Sequence, residues 1–202
     1  MQQLPARRPD GEPNADSVAA AVAALRAGAL VILPTDTVYG IAADANNAGA
    51  VARLFRAKNR PPDKAILLLA ASTEQATSVA DLTTPLARLL AARWWPGSVT
   101  LVSRGLVPFP TGIVTDGSVG VRVPADTLVQ AIAAQLGRPL AATSANRSGE
   151  VAASTFEEAV REIGDWVALA LDGGDCADGV ASTIVDVSGE TPVVLRQGSA
   201  VI

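Results

Sequence analysis

Short apolar runs at residues 29–33, 65–70, 99–102, 119–123, 140–143, 167–171, 183–187 and 193–195 constrain this chain more than any other feature. A strand exposed on one side alternates apolar and polar side chains. Most of these runs stay apolar at consecutive positions, so both faces of the sheet they build must be covered. The cover comes from segments of helical period. Residues 16–27 start on Asp16 or Ser17 as cap and stop at Gly28, 48–57 place Val51, Leu54 and Phe55 on one face, and 85–95 end at Pro96-Gly97. Residues 127–136 and 156–163 read the same way, and Ser72 with Gln75 resembles a capping box opening another helix. Strands interleaved with helices predict an α/β fold, and the back-to-back strands near the C-terminus predict a mixed sheet. The polar, proline-spaced residues 1–14 (Pro5, Pro9, Pro13) read as a flexible N-terminal segment ahead of one domain over 15–202.

Composition narrows the function. At 202 residues, with 49% apolar and 18% charged residues, the chain can bury a sizeable core. A net charge of −4 argues against a dedicated nucleic-acid binder, which normally carries a basic surface. There is no histidine, which excludes the Ser-His-Asp triad, the Cys-His dyad and any His-based zinc site. The single cysteine, Cys176, cannot form an intramolecular disulfide, so a reducing compartment is expected. It has no basic neighbour in sequence and reads as incidental. Residues 1–14 lack the apolar segment of a signal peptide, and no apolar stretch is long enough to span a bilayer, so the expected location is cytoplasmic.

Polar segments follow several of the apolar runs, where α/β proteins commonly bind ligands. Pro34-Thr35-Asp36-Thr37-Val38-Tyr39-Gly40 either orients a small polar substrate or is a turn in which Thr and Asp bond their own backbone. Arg53, Arg56, Lys58, Arg60 and Lys64 stand against one acidic residue, Asp63, and supply the fixed positive charge a triphosphate needs. Complementing a helix dipole explains Arg53 and Arg56 but not Arg60, which lies past the helix and just before Pro61-Pro62. Thr143-Ser144-Ala145-Asn146 offers small hydroxyl and amide groups after a strand. Arg122 interrupts an apolar strand and requires water, a carboxylate or a ligand, a structural ion pair being the commoner outcome. Arg196 and Gly198 end the last strand, Ala181-Ser182-Thr183 precedes the one before it, and Trp94-Trp95 read as packing at a helix end.

Taken in order, PTDTVYG, KNRPPDK, WWPGSVTLV, VGVRVP, ATSANRSG, ASTIVDV and VVLRQG resemble the YrdC-like proteins, specifically the threonylcarbamoyl-AMP synthases of tRNA threonylcarbamoyladenosine synthesis. The resemblance runs from Gly28 to about Gly198. It implies a twisted mixed sheet flanked by helices around a concave, positively lined cleft. It also implies a Lys-x-Arg pair, Lys58 and Arg60, acting catalytically with a Ser-x-Asn pair, Ser144 and Asn146. Further nucleotide contacts would come from Arg122, Ser154 and Arg196, and threonine contacts from Thr35, Arg60 and Ser182. Many members carry a histidine near the position of Leu69, and this chain has none. Longer members carry an extra domain; this chain reads as the short form, whose lid must come from loops or a partner.

The implied reaction needs no protein nucleophile. N-carboxy-threonine, formed from threonine and bicarbonate or CO2, attacks the α-phosphate of ATP and releases pyrophosphate. That requires alignment and charge neutralisation, both open to a histidine-free chain. Magnesium is expected to arrive with ATP, since no carboxylate cage is visible in the sequence. The expected partner is the tRNA-modifying threonylcarbamoyl transferase complex downstream, with weak or no direct tRNA binding and no membrane. The alternatives are a tRNA- or double-stranded-RNA-binding module without adenylation, and a carbamoyl-adenylate-forming relative as in hydrogenase maturation, for which the length and cysteines are missing.

Overall fold

Consecutive apolar residues in one strand must point into two different cores, and this is how the chain is built. The computed structural model describes residues 1–61 and 64–202; Pro62 and Asp63, the latter the acidic member of the basic run, lie outside the described residues. The elements run β1 (Gln2–Pro5), α1 (Ala15–Arg26), β2 (Val31–Leu33), β3 (Gly40–Asp44), α2 (Ala48–Lys58), β4 (Leu67–Leu69), α3 (Thr73–Thr77) and α4 (Pro85–Trp94). They continue as β5 (Val99–Arg104), β6 (Ser118–Arg122), α5 (Thr127–Leu136), β7 (Leu140–Ser144), α6 (Phe156–Ile163), β8 (Leu169–Asp172), β9 (Thr183–Asp186) and β10 (Val193–Arg196). One sheet holds the strands in the order β1-β8-β2-β3-β7-β4-β6-β5-β9-β10. It is mixed, as expected. β8 is parallel to β1 and β2, β4 to β6 and β5 to β9, while the other neighbours are antiparallel.

The two cores sort by residue parity. Ile32, Ile41, Leu68, Ala141, Leu101, Val121 and Val185 enter one core with residues of α2, α3, α4 and α6. Val31, Leu33, Ala42, Leu69, Leu140 and Ala142 enter the other with α1 and α5. The second core takes no residue from β5, β6, β9 or β10. That bare stretch of sheet is where the site lies.

Two expectations are corrected, and the N-terminal residues add a strand that the sequence reading did not assign. Gln2–Pro5 pairs in parallel with β8, Ala6 N–H donates to Asp172 O at 2.6 Å, and Arg7 forms an ion pair with Asp126 at 2.7 Å. Backbone pairing needs no apolar side chains, so polar Gln2 and Gln3 can occupy an edge strand. Helix α1 is capped by Asn14, whose Oδ1 accepts from Asp16 N–H at 3.0 Å and Ser17 N–H at 3.2 Å. Ser17 Oγ instead donates to Pro5 O at 2.7 Å and ties the helix to β1. Gly40 to Asp44, directly after the polar turn, is a fully buried central strand. At Ser72 only part of a capping box forms: Ser72 Oγ accepts from Gln75 N–H, but Gln75 Oε1 accepts from Ala71 N–H. Thr155 and Glu158 form the complete box at α6.

Candidate functional site

Over the bare stretch of sheet and its border on β4 and β7, Leu67, Leu69, Thr100, Arg122, Ala142, Ser144 and Ile184 of β4, β5, β6, β7 and β9 turn toward one cavity of about 160 Å³. Thr35, Thr37 and Val38 wall it from the turn after β2, Arg60 from the turn after α2, and Ser182 and Arg196 from the last two strands. Three guanidinium groups and several hydroxyls therefore converge, and no carboxylate lines the cavity among the described residues.

Each group is held by its own turn. Thr35 Oγ1 donates to Val38 O at 2.7 Å and accepts from the N–H groups of Thr37 (3.1 Å) and Val38 (3.2 Å). The self-bonded turn and the loop that faces the cavity are thus the same structure. Arg122 forms the ion pair that a strand arginine demands, through Nη2 to Asp36. Its Nε donates to Gly97 O at 2.8 Å and its Nη1 to Thr37 Oγ1 at 3.0 Å. Three of its five N–H donors are used, and two are left for the cavity. Thr100 and Ser182 share a hydroxyl–hydroxyl bond of 2.9 Å, and Arg196 Nη2 donates to Ser182 O at 2.6 Å. A side chain at Gly198 would run into the backbone of Ala181 to Thr183, so the turn that carries Arg196 back over Ser182 requires glycine. Arg60 Nε donates to Lys64 O at 2.9 Å and its Nη2 to Ala65 O at 2.7 Å.

The electrostatics favour an anion. Burial, then the nearby Arg122 charge, push the Arg196 guanidinium below its usual value, while burial lowers Arg122 against the pull of Asp36. A guanidinium whose charged form is depressed by burial and by a second guanidinium nearby is relieved by a bound carboxylate or phosphate.

Of the residues singled out from the sequence, Thr35, Arg60, Arg122, Ser144, Ser182 and Arg196 reach the cavity. Lys58, Asn146 and Ser154 do not line it. Lys58 is 1% exposed and its Nζ donates to Ser144 O and Asn146 O at 2.5 Å each and to Asn146 Oδ1 at 3.2 Å. The basic turn and the hydroxyl-amide turn do meet, but through this buried ammonium. Burial, and then Arg60, push Lys58 down to about 7. Asn146 Nδ2 donates to Arg147 O and Glu150 O, so its amide serves its own turn. Ser154 is engaged by Glu158, the partner of Thr155 in the capping box of α6.

Thr37, the second hydroxyl of the polar turn, reaches the cavity with Thr35, whereas Thr100 was missed because it is a hydroxyl inside a segment that otherwise reads as strand. Tyr39, from the same loop as Thr37, also contributes to the cavity lining, while its hydroxyl is engaged elsewhere, donating to Gly174 O at 2.7 Å and accepting from Gly173 N–H at 3.0 Å. Trp95 is buried with Nε1 donating to Val99 O at 2.7 Å, the packing role expected of it. Cys176 is half-buried, and burial pushes its thiol up.

The model of the Sua5/YciO/YrdC family, described as telomere recombination, matches residues 23–198. The chain belongs to this family. It is 38% identical over 194 residues to the putative threonylcarbamoyl-AMP synthase of Mycobacterium leprae, across 94% of this chain and 86% of that protein. It is 38% identical over 176 residues to the threonylcarbamoyl-AMP synthase of Pyrococcus abyssi, across 86% of this chain and 52% of that protein. The chain thus spans about half the length of that relative, although it covers 100% of the Photobacterium profundum threonylcarbamoyl-AMP synthase at 33% identity. The crystal structure of P. abyssi Sua5 complexed with L-threonine matches with a TM-score of 0.91 at 33% identity, over 98% of this chain and 58% of that one. E. coli YciO shares the fold, with a TM-score of 0.86 at 24% identity over 98% and 94% of the two chains. The helix-flanked mixed sheet expected of a Sua5/YciO/YrdC member is the one observed.

Proposed function

We propose that this chain joins L-threonine, bicarbonate or CO2, and ATP into L-threonylcarbamoyl-AMP with release of pyrophosphate. The observation that carries the reading is the convergence of Arg60, Arg122 and Arg196, from distant parts of the sequence, with the hydroxyls of Thr35, Thr37, Thr100, Ser144 and Ser182 on one acid-free cavity. Such a site takes anions and small hydroxyl-bearing ligands together. The relatives named threonylcarbamoyl-AMP synthase, and the related Sua5 crystallised with L-threonine, support the choice of substrates.

The threonine amine attacks CO2 and loses a proton, giving an N-carboxylate. One oxygen of that carboxylate then attacks the α-phosphorus of ATP, the bond to the bridging oxygen breaks, and pyrophosphate departs with the electron pair. Thr35 and Ser182 hold the amino acid, and the two unused donors of Arg122 face its carboxylate. Ser144 and Arg196 hold the nucleotide. Arg60 neutralises charge as it spreads over the phosphate oxygens; fixed donors in a site shielded from water need no reorganisation when the reaction occurs. No group of three or more Asp, Glu, Cys or His side chains among the described residues fits a metal ion. Magnesium would arrive bound to the triphosphate and would offset part of its charge, with Arg60 and Arg196 supplying the protein's share. The product is an unstable mixed anhydride, for which we propose prompt transfer to the complex that modifies tRNA in the cytoplasm. Direct tRNA binding by this acidic chain is expected to be weak or absent.

Incubating the protein with ATP, labelled bicarbonate and a panel of amino acids, then searching by mass for an acyl-adenylate, tests the reading. The expected product appears with threonine and carries the label. An adenylate lacking the carboxylate carbon, or none with any amino acid, refutes it.

A further inference from the structure

Lys58 and Arg60 sit two residues apart, yet the chain sends them to different places. Asn59, between them, caps α2 in the left-handed conformation (φ 49°), which turns Arg60 out to the cavity wall while Lys58 stays on the buried face of the helix. There its ammonium meets three oxygens, Ser144 O, Asn146 O and Asn146 Oδ1. An ammonium has three donors, so the set is complete. The backbone joins in, with Ser148 N–H donating to Lys58 O at 2.9 Å. Residues 144–148 are therefore fastened to the end of α2 at both ends of the turn. Within that turn Ser144 lines the cavity.

We infer that Lys58 is a positioning residue: its ammonium serves as a built-in cation that shapes the 144–148 turn, and it has no donor to spare for a phosphate. The inference rests on the proposed reading for what Ser144 holds, but the clamp itself is a property of the ligand-free protein. Removing the ammonium takes the lysine donor from Asn146 O and Asn146 Oδ1 and leaves Ser144 O with only the Asn146 N–H at 3.0 Å, a desolvation cost that water can repay only if the turn opens.

Hydrogen exchange on the nucleotide-free Lys58→Met protein decides it. Amides of 143–149 should exchange at least about tenfold faster than in the wild type, while those of α1 and β5 keep their protection. Adding Asn146→Ala to Lys58→Met should change little, because the two act as a unit. In Lys58→Ala, propylammonium should return both the protection of 143–149 and product formation. Wild-type exchange across 143–149 in Lys58→Met, with product formation lost, overturns the inference and puts the lysine directly on the phosphates. Should the variants not fold, the wild type still answers. In a nitrogen-15 spectrum a non-hydrolysable ATP analogue should move the Arg60 side-chain signal and leave the Lys58 ammonium in place. A comparable shift at both refutes positioning. No shift at Arg60 removes the nucleotide site itself, and with it any role for Lys58 in this reaction.

Discussion

Replacing Asp36 by alanine takes the carboxylate from Arg122, whose side chain is only 5% exposed; that of Asp36 is 14% exposed. Breaking a buried pair by removing one partner costs about 3–5 kcal/mol, because the remaining charge stays buried without compensation. Two facts place this site at the lower end. Arg122 keeps its bonds to Gly97 O and Thr37 Oγ1, and the edge of Asp36 already touches water. Against that, Ala125 N–H loses its acceptor, Asp36 Oδ2 at 3.1 Å. A loss of about 3 kcal/mol follows, and at about 2–4 °C per kcal/mol for a chain of this size the melting temperature should drop by about 6–12 °C. Urea and thermal unfolding followed by circular dichroism measure both. The double variant Asp36→Leu with Arg122→Met should recover at least half of the lost stability, since an apolar pair of similar volume has no charge to bury. It should not recover amino-acid binding. A single Asp36→Ala variant losing less than about 1 kcal/mol would show that solvent already screens the guanidinium, and the account of Arg122 as a buried, partner-dependent charge would be wrong.

Three further outcomes are expected. Arg60→Ala should fold normally and form product at least about tenfold more slowly, a loss of about 1.4 kcal/mol of transition-state stabilisation; near-normal pyrophosphate release would remove Arg60 from the phosphate site. Burial pushes Lys58 down to about 7 from a usual 10.5, so the ammonium clamp is complete only below about 7, and between those values the unfolded chain binds more protons and folding stability should rise with pH. Lys58→Met should flatten that rise in urea titrations run across the same range, and an unchanged slope would assign it to other groups. Gly112 has a φ of 96° and a side chain there would enter the Phe55 ring, whereas Gly117, with a φ of 77°, faces open space. Gly112→Ala should therefore cost clearly more than Gly117→Ala, which bears only backbone strain of about 1 kcal/mol; equal unfolding midpoints would contradict the packing.

What was legible in the sequence is what local chemistry decides. Helix α5 could be bounded to the residue because Asp126 caps one end and Gly137, at a φ of 81°, closes the other. The strands stood out where Val, Ile and Leu dominate. β3 did not, because glycine and alanines fill it and it directly follows a polar turn; its strand state is imposed by β2 and β7 on either side. β1 did not, because an edge strand can be held through its backbone alone. In the site, Arg122 and Arg196 were visible as cations interrupting apolar strands, and Arg60 as a cation past the end of its helix. The separate fate of Lys58 was not visible. It depends on the left-handed turn at Asn59 and on acceptors presented from β7, nearly ninety positions further along the chain.

The position of the site follows from where the second core stops. On strands β2, β3, β7 and β8 the face toward α1 and α5 is filled with Val, Leu and Ala. The same face continues onto β6, β5 and β9, and there the corresponding positions are Arg122, Thr100 and Ile184, which line the cavity. Their neighbours Val121, Leu101 and Val185 still point into the first core, so each of these strands is anchored on one side and faces the cavity on the other. β4 shows the border in two residues, with Leu68 in the first core and Leu69 shared between the second core and the cavity wall. A guanidinium on such a strand inherits the rigidity of the sheet without a helix pressing on it. That lets a buried charge be fixed within reach of a ligand, and it explains why Arg122 draws its partners from turns at the sheet's ends, Asp36, Thr37 and Gly97, rather than from a covering helix.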